Sequence, residues 1–369
     1  MKFKISIITT LAVFLLSCCQ GKVDNEEGDV LFPEITKNVD KGKLSEIISV
    51  SDARILGDYK DFMIGRIKKI NQFDDKKFAI QSTDTPIVIF DSTARKFTEI
   101  GSIGGGEGEY TDPLDFDIEG NIIYILTVKG IMRYGLDGKY IDTIKTDLNA
   151  DGIHVVDDKI MLFVLGDEHV IHMIDMGGKT LSEELPRNAA LRLSRANSFY
   201  EYGNYILFHE GHSNNIFAYD RDSKSFRELN IIPAEEALSI GEETNLIENG
   251  AKTTEQGKAF FDGLTAAGQQ LFVGVMKDNK PFFYLSDNKN KTSISITDID
   301  DDILYNGTIS FFSKGVVSND KFITYVYPYV LIENKDKILE SSSSPEVIKD
   351  IVGKVKEDDN PIVIEYEFK

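Results

Sequence analysis

Six times along this chain a polar pair of turn residues is followed by an unbroken apolar run. The segments are 74–80, 119–126, 157–164, 202–208, 267–273 and 319–326. With Asp75, Gly120, Asp158, Gly203, Gly268 and Asp320 as turn marks, the spacings are 45, 38, 45, 65 and 52 residues. Asp or Gly beside Asn or Lys, set between apolar runs, is hairpin chemistry. A short strand pattern precedes each turn, as in Ile67-Lys-Lys-Ile70, Leu114-Asp-Phe-Asp-Ile118 and Ile153-His-Val-Val156. A third pattern, rich in β-branched and aromatic residues, follows at 86–90, 130–134, 169–174, 215–219 and 281–285. A more polar fourth, such as 96–100 or 139–144, ends the unit.

Four antiparallel strands repeating at this interval describe propeller blades, not a helical solenoid. The expected fold is therefore all-β, a six-bladed β-propeller; two stacked β-sandwiches are the rival. The sixth unit lacks a fourth strand. After Val326, Ser344-Pro345-Glu346 opens one short helix carrying Val347, Ile348, Ile351, Val352 and Val355, with Ser344 as N-cap and Pro345 at its first position. That helix must stop before Asn360-Pro361. The stretch 362–368 gives a third strand and the chain ends. The missing strand is available at the other terminus, between Leu44 and Leu56, so strands from both ends close the ring and leave no free edge.

The N-terminus reads as an export address. A basic Met1-Lys-Phe-Lys4 leads into an apolar run from Ile5 to Leu16, too short for the ~20 residues of a membrane-spanning helix. Leu15-Leu16-Ser17-Cys18 resembles a bacterial lipobox, in which the cysteine is acylated and becomes the new N-terminus. Cys18 and Cys19 are the only cysteines of the 369 residues. The expected division is a signal peptide over 1–17, a flexible acidic tether over 18–42 and the propeller over 43–369. Acidic residues just after Cys18 also resemble the export signal of surface lipoproteins in some Gram-negative bacteria. The expected location is the outer membrane, lipid-anchored and facing outward, with the periplasmic side of that membrane as the alternative.

Composition narrows the partners. The chain has 41 Lys+Arg against 61 Asp+Glu, a net charge of −20 that becomes −22 once residues 1–17 are removed. Such an acidic surface is a poor dock for nucleic acid. Two adjacent cysteines allow neither a disulfide framework nor a four-cysteine metal site. The absence of Trp weakens a glycan platform, although Tyr and Phe also stack on sugars.

The segment Gly101-Ser-Ile-Gly-Gly-Gly-Glu-Gly-Glu-Tyr-Thr-Asp-Pro113 and the ending Glu357-Asp-Asp-Asn-Pro-Ile-Val-Ile-Glu-Tyr-Glu-Phe-Lys369 carry a resemblance. They are similar to the glycine-rich blade crossover and the acidic Asn-Pro closing strand of six-bladed propeller lipoproteins of Gram-negative gut bacteria, distant relatives of NHL-repeat propellers. The similarity covers roughly residues 40–369. It departs at Ile48-Ser-Val-Ser-Asp52 and in the long 233–258 segment. The resemblance implies the fold, and an association with outer-membrane uptake systems, but no common activity.

Candidate chemistry is sparse. Gly104-Gly-Gly-Glu-Gly108 lacks the Lys-[Ser/Thr] and following helix of a phosphate loop, and its glutamates repel phosphate, so it reads as a tight crossover turn. His169 and His172 lie three apart on a strand and face opposite ways. His209 and His212 sit on a connection of the face opposite the short turns, where two imidazoles could converge on zinc or a ligand. Asp147, Asn149 and Asp151 have the oxygen spacing of a calcium loop, with Asp158 rather than Glu at the twelfth position. They read equally as a polar inter-blade loop. The acidic run from Asp298 to Asp302 reads as solvated. Apart from calcium no cofactor is implied, and no nucleophile elbow or Cys–His order is legible.

The leading functional reading is a non-enzymatic binding module, attached to the membrane through lipidated Cys18. It would hold an unidentified protein or an extracellular nutrient, as an accessory to uptake. A hydrolase or lyase at the mouth of the central channel is the alternative. The face with the long connections, including the Ser344 helix, is expected to point away from the lipid.

Overall fold

Turn residues between the apolar runs adopt the backbone that a tight hairpin requires. Asp157 and Asp158 both take positive φ, 49° and 58°, as in a two-residue type I′ turn. Gly120, Gly203 and Gly268 take positive φ, 57–58°, at the first position of the matching turns. These observations come from a computed structural model. It describes residues 37–369 apart from 58–59, 61, 74–76, 188–195, 211–214, 231–258, 278–279, 291, 306–314 and 318–320. Cys18, the signal peptide, the 233–258 segment and the turn marks Asp75 and Asp320 lie outside the described residues.

The fold is a six-bladed β-propeller. Blade one spans Ile67–Phe73, Lys77–Ser82, Ile87–Phe90 and Phe97–Ile100; blade two runs from Asp115–Glu119 to Tyr140–Ile144. Blade three runs from Ala150–Val156 to Thr180–Pro186, blade four from Ala196–Tyr202 to Ser225–Asn230, and blade five from Ala259–Ala267 to Thr292–Ile296. Within each of these the strands pair antiparallel in sequence order. Strands alternate direction, so the turns after first and third strands share one face. Blade-to-blade crossovers and the connections from second to third strand share the other, the crossover face.

Apolar side chains fill the seams between blades. Phe73, Ile87 and Ile89 of blade one pack on Phe116, Ile125 and Met132 of blade two. Tyr124, Leu126 and Ile131 meet Ile153, Ile160 and Leu162 at the next seam, and Met161, Phe163 and Ile171 meet Phe199, Ile206 and Phe208 beyond it.

The glycine-rich segment is a crossover, as its composition predicts. Ser102–Ile103 bridges Glu109–Tyr110, and the Glu109 carboxylate accepts the Gly106 N–H at 2.7 Å, so the loop's own acid occupies its donors. Tyr110 fastens it: the buried hydroxyl accepts the Ile87 N–H at 2.9 Å and donates to the Ile100 carbonyl at 2.5 Å. Gly101 is held at φ 67° beside Tyr110 and Tyr134, where a Cβ would come within 2.9 Å of a ring carbon. Tyr110→Phe orphans a buried N–H and is expected to destabilise the chain by about 1–3 kcal/mol, measured by urea denaturation. No loss would remove this anchoring role.

Blade six closes the ring as the strand arithmetic requires. Phe322–Val326 pairs with Ile362–Phe368, which pairs with Ile48–Ile55 from the other end of the chain. Three details differ from the sequence expectation. Leu44–Ile47 is a helical turn rather than strand, because the buried Asp302 accepts the Ser45 N–H at 2.9 Å and its hydroxyl at 2.7 Å. Asp301 is buried as well and accepts the Ile303 and Leu304 N–H groups, so the acidic run is solvated only at Asp298 and Asp300. And Lys37–Val39 and Gly42–Lys43, at the end of the expected tether and the first propeller residue, pair in parallel with Thr292–Ile296 and Ile299–Asp300 at the edge of blade five.

Three helices, not one, lie between Val326 and Ile362: Pro328–Glu333, Lys335–Glu340 and Glu346–Val352. Ser344 is not a cap, since its hydroxyl donates to the Ile303 carbonyl at 2.8 Å and Pro345 holds the N-cap position. Asn360 explains the Asn-Pro motif. Its buried amide accepts the Ile64 N–H at 2.9 Å and donates to the Phe62 carbonyl at 2.8 Å, tying the closing blade to the crossover that starts blade one.

Candidate functional site

In blades two to five the first strand pairs only with the second, so its other edge turns toward the axis. Alternate residues of a strand share a face. In blade two this aligns Asp115, Asp117 and Glu119 toward blade three. Asp115 accepts the Ile153 N–H at 3.0 Å and Asp117 the Val155 N–H at 2.7 Å, so carboxylates of one blade satisfy the open edge of the next. The Lys69 ammonium of blade one, 4% exposed, reaches Asp115 at 2.8 Å and the Phe116 carbonyl at 2.7 Å. His154 of blade three lies with Nδ1 3.0 Å from Asp117 and its ring stacked on Phe199.

The electrostatics follow from these neighbours. Burial pushes the Asp117 carboxyl up, but the charge and hydrogen bond of His154, the Lys69 charge and the Val155 N–H outweigh it and hold the pKa below the ordinary value. Glu119 is raised, by burial first and then by the negative charges of Asp117 and Glu201. Asn71, Asp117, His154 and Thr265 occupy the same register, two residues from the end of the first strand in blades one, two, three and five, and all are buried. Together they form a polar belt around the axis. His154 resembles an oriented base, for its Nε2 has no hydrogen-bond partner among the described residues, but it is enclosed at 4% exposure.

A second polar group lies at the seam of blades six and one. Glu365, 1% exposed, receives Arg54 at 2.6 Å and Gln72 at 3.4 Å, with the Lys321 ammonium 3.9 Å away. Arg54 also pairs with Asp52 and lies over the Phe78 ring.

At the same seam, on the crossover face, the groups become accessible. Tyr325 closes the second strand of blade six, and its hydroxyl donates to the Ile67 carbonyl at 3.3 Å. Burial first, then the adjacent Tyr327 hydroxyl, push the Tyr325 phenol above its ordinary value against the pull of the nearby Arg66 charge, so it stays protonated. Tyr325 and Tyr327 meet edge to face at 5.6 Å, and Tyr327 and Tyr329 lie parallel, 6.1 Å apart and 10° from coplanar. Tyr329 is 54% exposed. Arg66 is also exposed, and no ion pair among the described residues engages its guanidinium.

The residues singled out from sequence fall elsewhere. His209 is not on a connection: the apolar run from Tyr205 keeps pairing through His209 opposite Ile216, so its side chain is buried in blade four. His212 lies outside the described residues. Asp147 and Asn149 are exposed on the crossover between blades two and three, and Asp151 lies at the bulge of the strand that follows. Among the described residues no three His, Cys, Asp or Glu side chains are close enough to hold a metal ion. His169 and His172 do diverge, His169 toward Glu183 at 3.4 Å and His172 toward Asp167 at 3.6 Å. A hollow of about 210 Å³ on the turn face, lined by Lys77, Asp91, Lys96 and Leu136, is below the size of ordinary ligand clefts. Sequence did carry a signal for the sites that were missed. Asp115 and Asp117 alternate within an apolar strand, and Tyr325, Tyr327 and Tyr329 fall on every second residue around Pro328.

Residues 33–367 match a family model described as Domain of unknown function (DUF4934). Among solved structures the chain is similar to a Bacteroides fragilis protein named as exported, with TM-score 0.68 and 12% identity over 90% of this chain and 99% of that one. At that identity the likeness establishes the fold alone. More distant is PorZ, a surface component of the type-IX secretion system of Porphyromonas gingivalis, with TM-score 0.43 and 13% identity over 79% of this chain and 36% of that one. The extracellular domain of a hybrid two-component system of B. thetaiotaomicron gives TM-score 0.39 and 14% identity over 62% of this chain and 29% of its own. No protein of curated function matches.

Proposed function

The chain belongs to the DUF4934 family, and we propose that it is a cell-envelope protein whose propeller is a binding module rather than an enzyme. The observation that carries this reading is the crossover face. It presents Met63, Val128 and Tyr329, exposed at 73%, 80% and 54%, on separate connections of a strongly acidic chain. The topology puts all three on the crossover face, which supports a contact surface there. The belt supports the same reading, since Asp115 and Asp117 are engaged in joining blades.

Export and lipid anchoring at Cys18 complete the proposal, with the crossover face turned outward from the outer membrane and an uptake protein or extracellular nutrient as its partner. The lipobox at Leu15–Cys18 supports the anchor, and the exported Bacteroides relative is consistent with the location. Cys18→Ala tests the anchor. The unaltered chain is expected in the outer-membrane fraction, and the variant in soluble fractions or unprocessed at the inner membrane. An outer-membrane variant indistinguishable from the parent would refute it. Cross-linking on intact cells should recover a partner that Met63→Asp or Val128→Asp loses; turnover of a screened substrate with no partner would overturn the binding reading.

A further inference from the structure

Where blade six meets blade one, the crossover face combines a free cation with aromatic rings. We infer that Arg66, Tyr327 and Tyr329 form a binding site for a sugar acid, the Arg66 guanidinium taking the carboxylate and the tyrosine rings taking the sugar face. This deepens the binding-module reading and rests on it.

The chemistry of each group points the same way. A guanidinium presents a planar fork that matches a carboxylate in two parallel hydrogen bonds. In a chain of net charge −20, Arg66 is exposed and outside every ion pair among the described residues, so its guanidinium is available to an anion. Arg66 precedes Ile67, whose carbonyl accepts the Tyr325 hydroxyl; Tyr325 in turn meets Tyr327 edge to face, and Tyr327 and Tyr329 lie 10° from parallel. A pyranose has one face of C–H bonds that stacks on such rings, while its hydroxyls remain solvated. Tyr327 precedes Pro328, whose ring fixes its own φ at the first helical position, and the Tyr325 hydroxyl is bonded to the Ile67 carbonyl. The platform is therefore held before a ligand arrives, which lowers the ordering cost of binding.

An acidic peptide would satisfy the charge but not the remaining geometry. Extended peptides usually add to an open strand edge. Here the inner edge of blade one is already taken, as Gly315–Val317 pairs in parallel with Ile70–Gln72. Recognition at this spot rests on side chains, which favours a ring over a main chain.

Calorimetry on the full chain tests this with three probes: a galacturonic acid trimer, its neutral methyl ester and a tetraglutamate peptide. The acid trimer is expected to bind, with the ester and Arg66→Ala each weakening it by about tenfold, one charge-assisted contact. Arg66→Lys should recover part of the loss, and Tyr329→Ala should weaken binding by up to about tenfold. Arg66 and Tyr329 are exposed, so near-UV circular dichroism should show both variants folded. Equal binding of the ester, equal binding of tetraglutamate, or indifference to Arg66→Ala in a folded chain each overturns the inference. A chain that binds no acid trimer yet still captures an envelope partner through its crossover face overturns the sugar-acid site alone and leaves the binding-module reading standing.

Discussion

Asp117→Ala is expected to destabilise the propeller by about 3–5 kcal/mol, the range for breaking one side of a buried charged pair. The substitution removes the acceptor of the Val155 N–H at 2.7 Å and the partner of His154 Nδ1 at 3.0 Å, both out of water. It also takes away a negative charge that Lys69 senses. Asp117→Asn separates the two contributions, because the amide oxygen can still accept the N–H while the charge is gone; its loss should be smaller. The pH dependence has a definite sign. With its folded pKa depressed, Asp117 contributes stability that is complete above the ordinary aspartate value of 3.8 and is lost as pH falls through the lower folded value. Urea midpoints of the parent should therefore drop below about pH 4, and this part of the drop should vanish in Asp117→Asn. Identical acid profiles for the two would show that the carboxylate is not ionised against His154.

The ring was legible in sequence because its cause is local and repeated. A polar turn pair, then an apolar run, recurs six times along the chain, with positive φ at the described turns of blades two to five, and the strand missing from the sixth unit had to come from residues before 56. What stayed hidden depends on contacts between distant segments. Asp302 looks like a surface acid until Ser45 is brought to it across 257 positions, and Leu44–Ile47 becomes helical for that reason. Ser344 has cap chemistry, but Ile303 claims its hydroxyl. His209 sits just past an apolar run, and only the pairing of Tyr205–Glu210 with Asn215–Asp220 decides that it is buried. The belt shows only as Asp115 and Asp117 alternating in an apolar strand. The aromatic mouth likewise shows as tyrosines alternating around Pro328, but Arg66 joins it from 259 positions away.

Glu365→Ala should be as costly as the belt mutation, about 3–5 kcal/mol, and its effect should be confined at first to the closing blade. Ile48–Ile55 leads covalently into blade one but is held to the rest of blade six by non-covalent contacts, and Glu365 on the strand beside it receives Arg54 from that closing strand at 2.6 Å. Removing the acid leaves a guanidinium, 12% exposed at its side chain, with Asp52 alone, and strips Gln72 and Lys321 of a shared acceptor. Arg54→Met leaves the opposite problem, an acid buried at 1% exposure without its nearest cation. Because each single change strands a charge that the other would remove, Glu365→Leu with Arg54→Met should cost less than the two separate losses added together. Hydrogen exchange localises the effect. Amides of 48–55 and 362–368 should exchange faster in Glu365→Ala, while those of blades two to four keep their protection until global unfolding. Additive losses in the double variant, or uniform loss of protection around the ring, would mean that Glu365 and Arg54 stabilise the fold independently and that closure does not depend on their pairing.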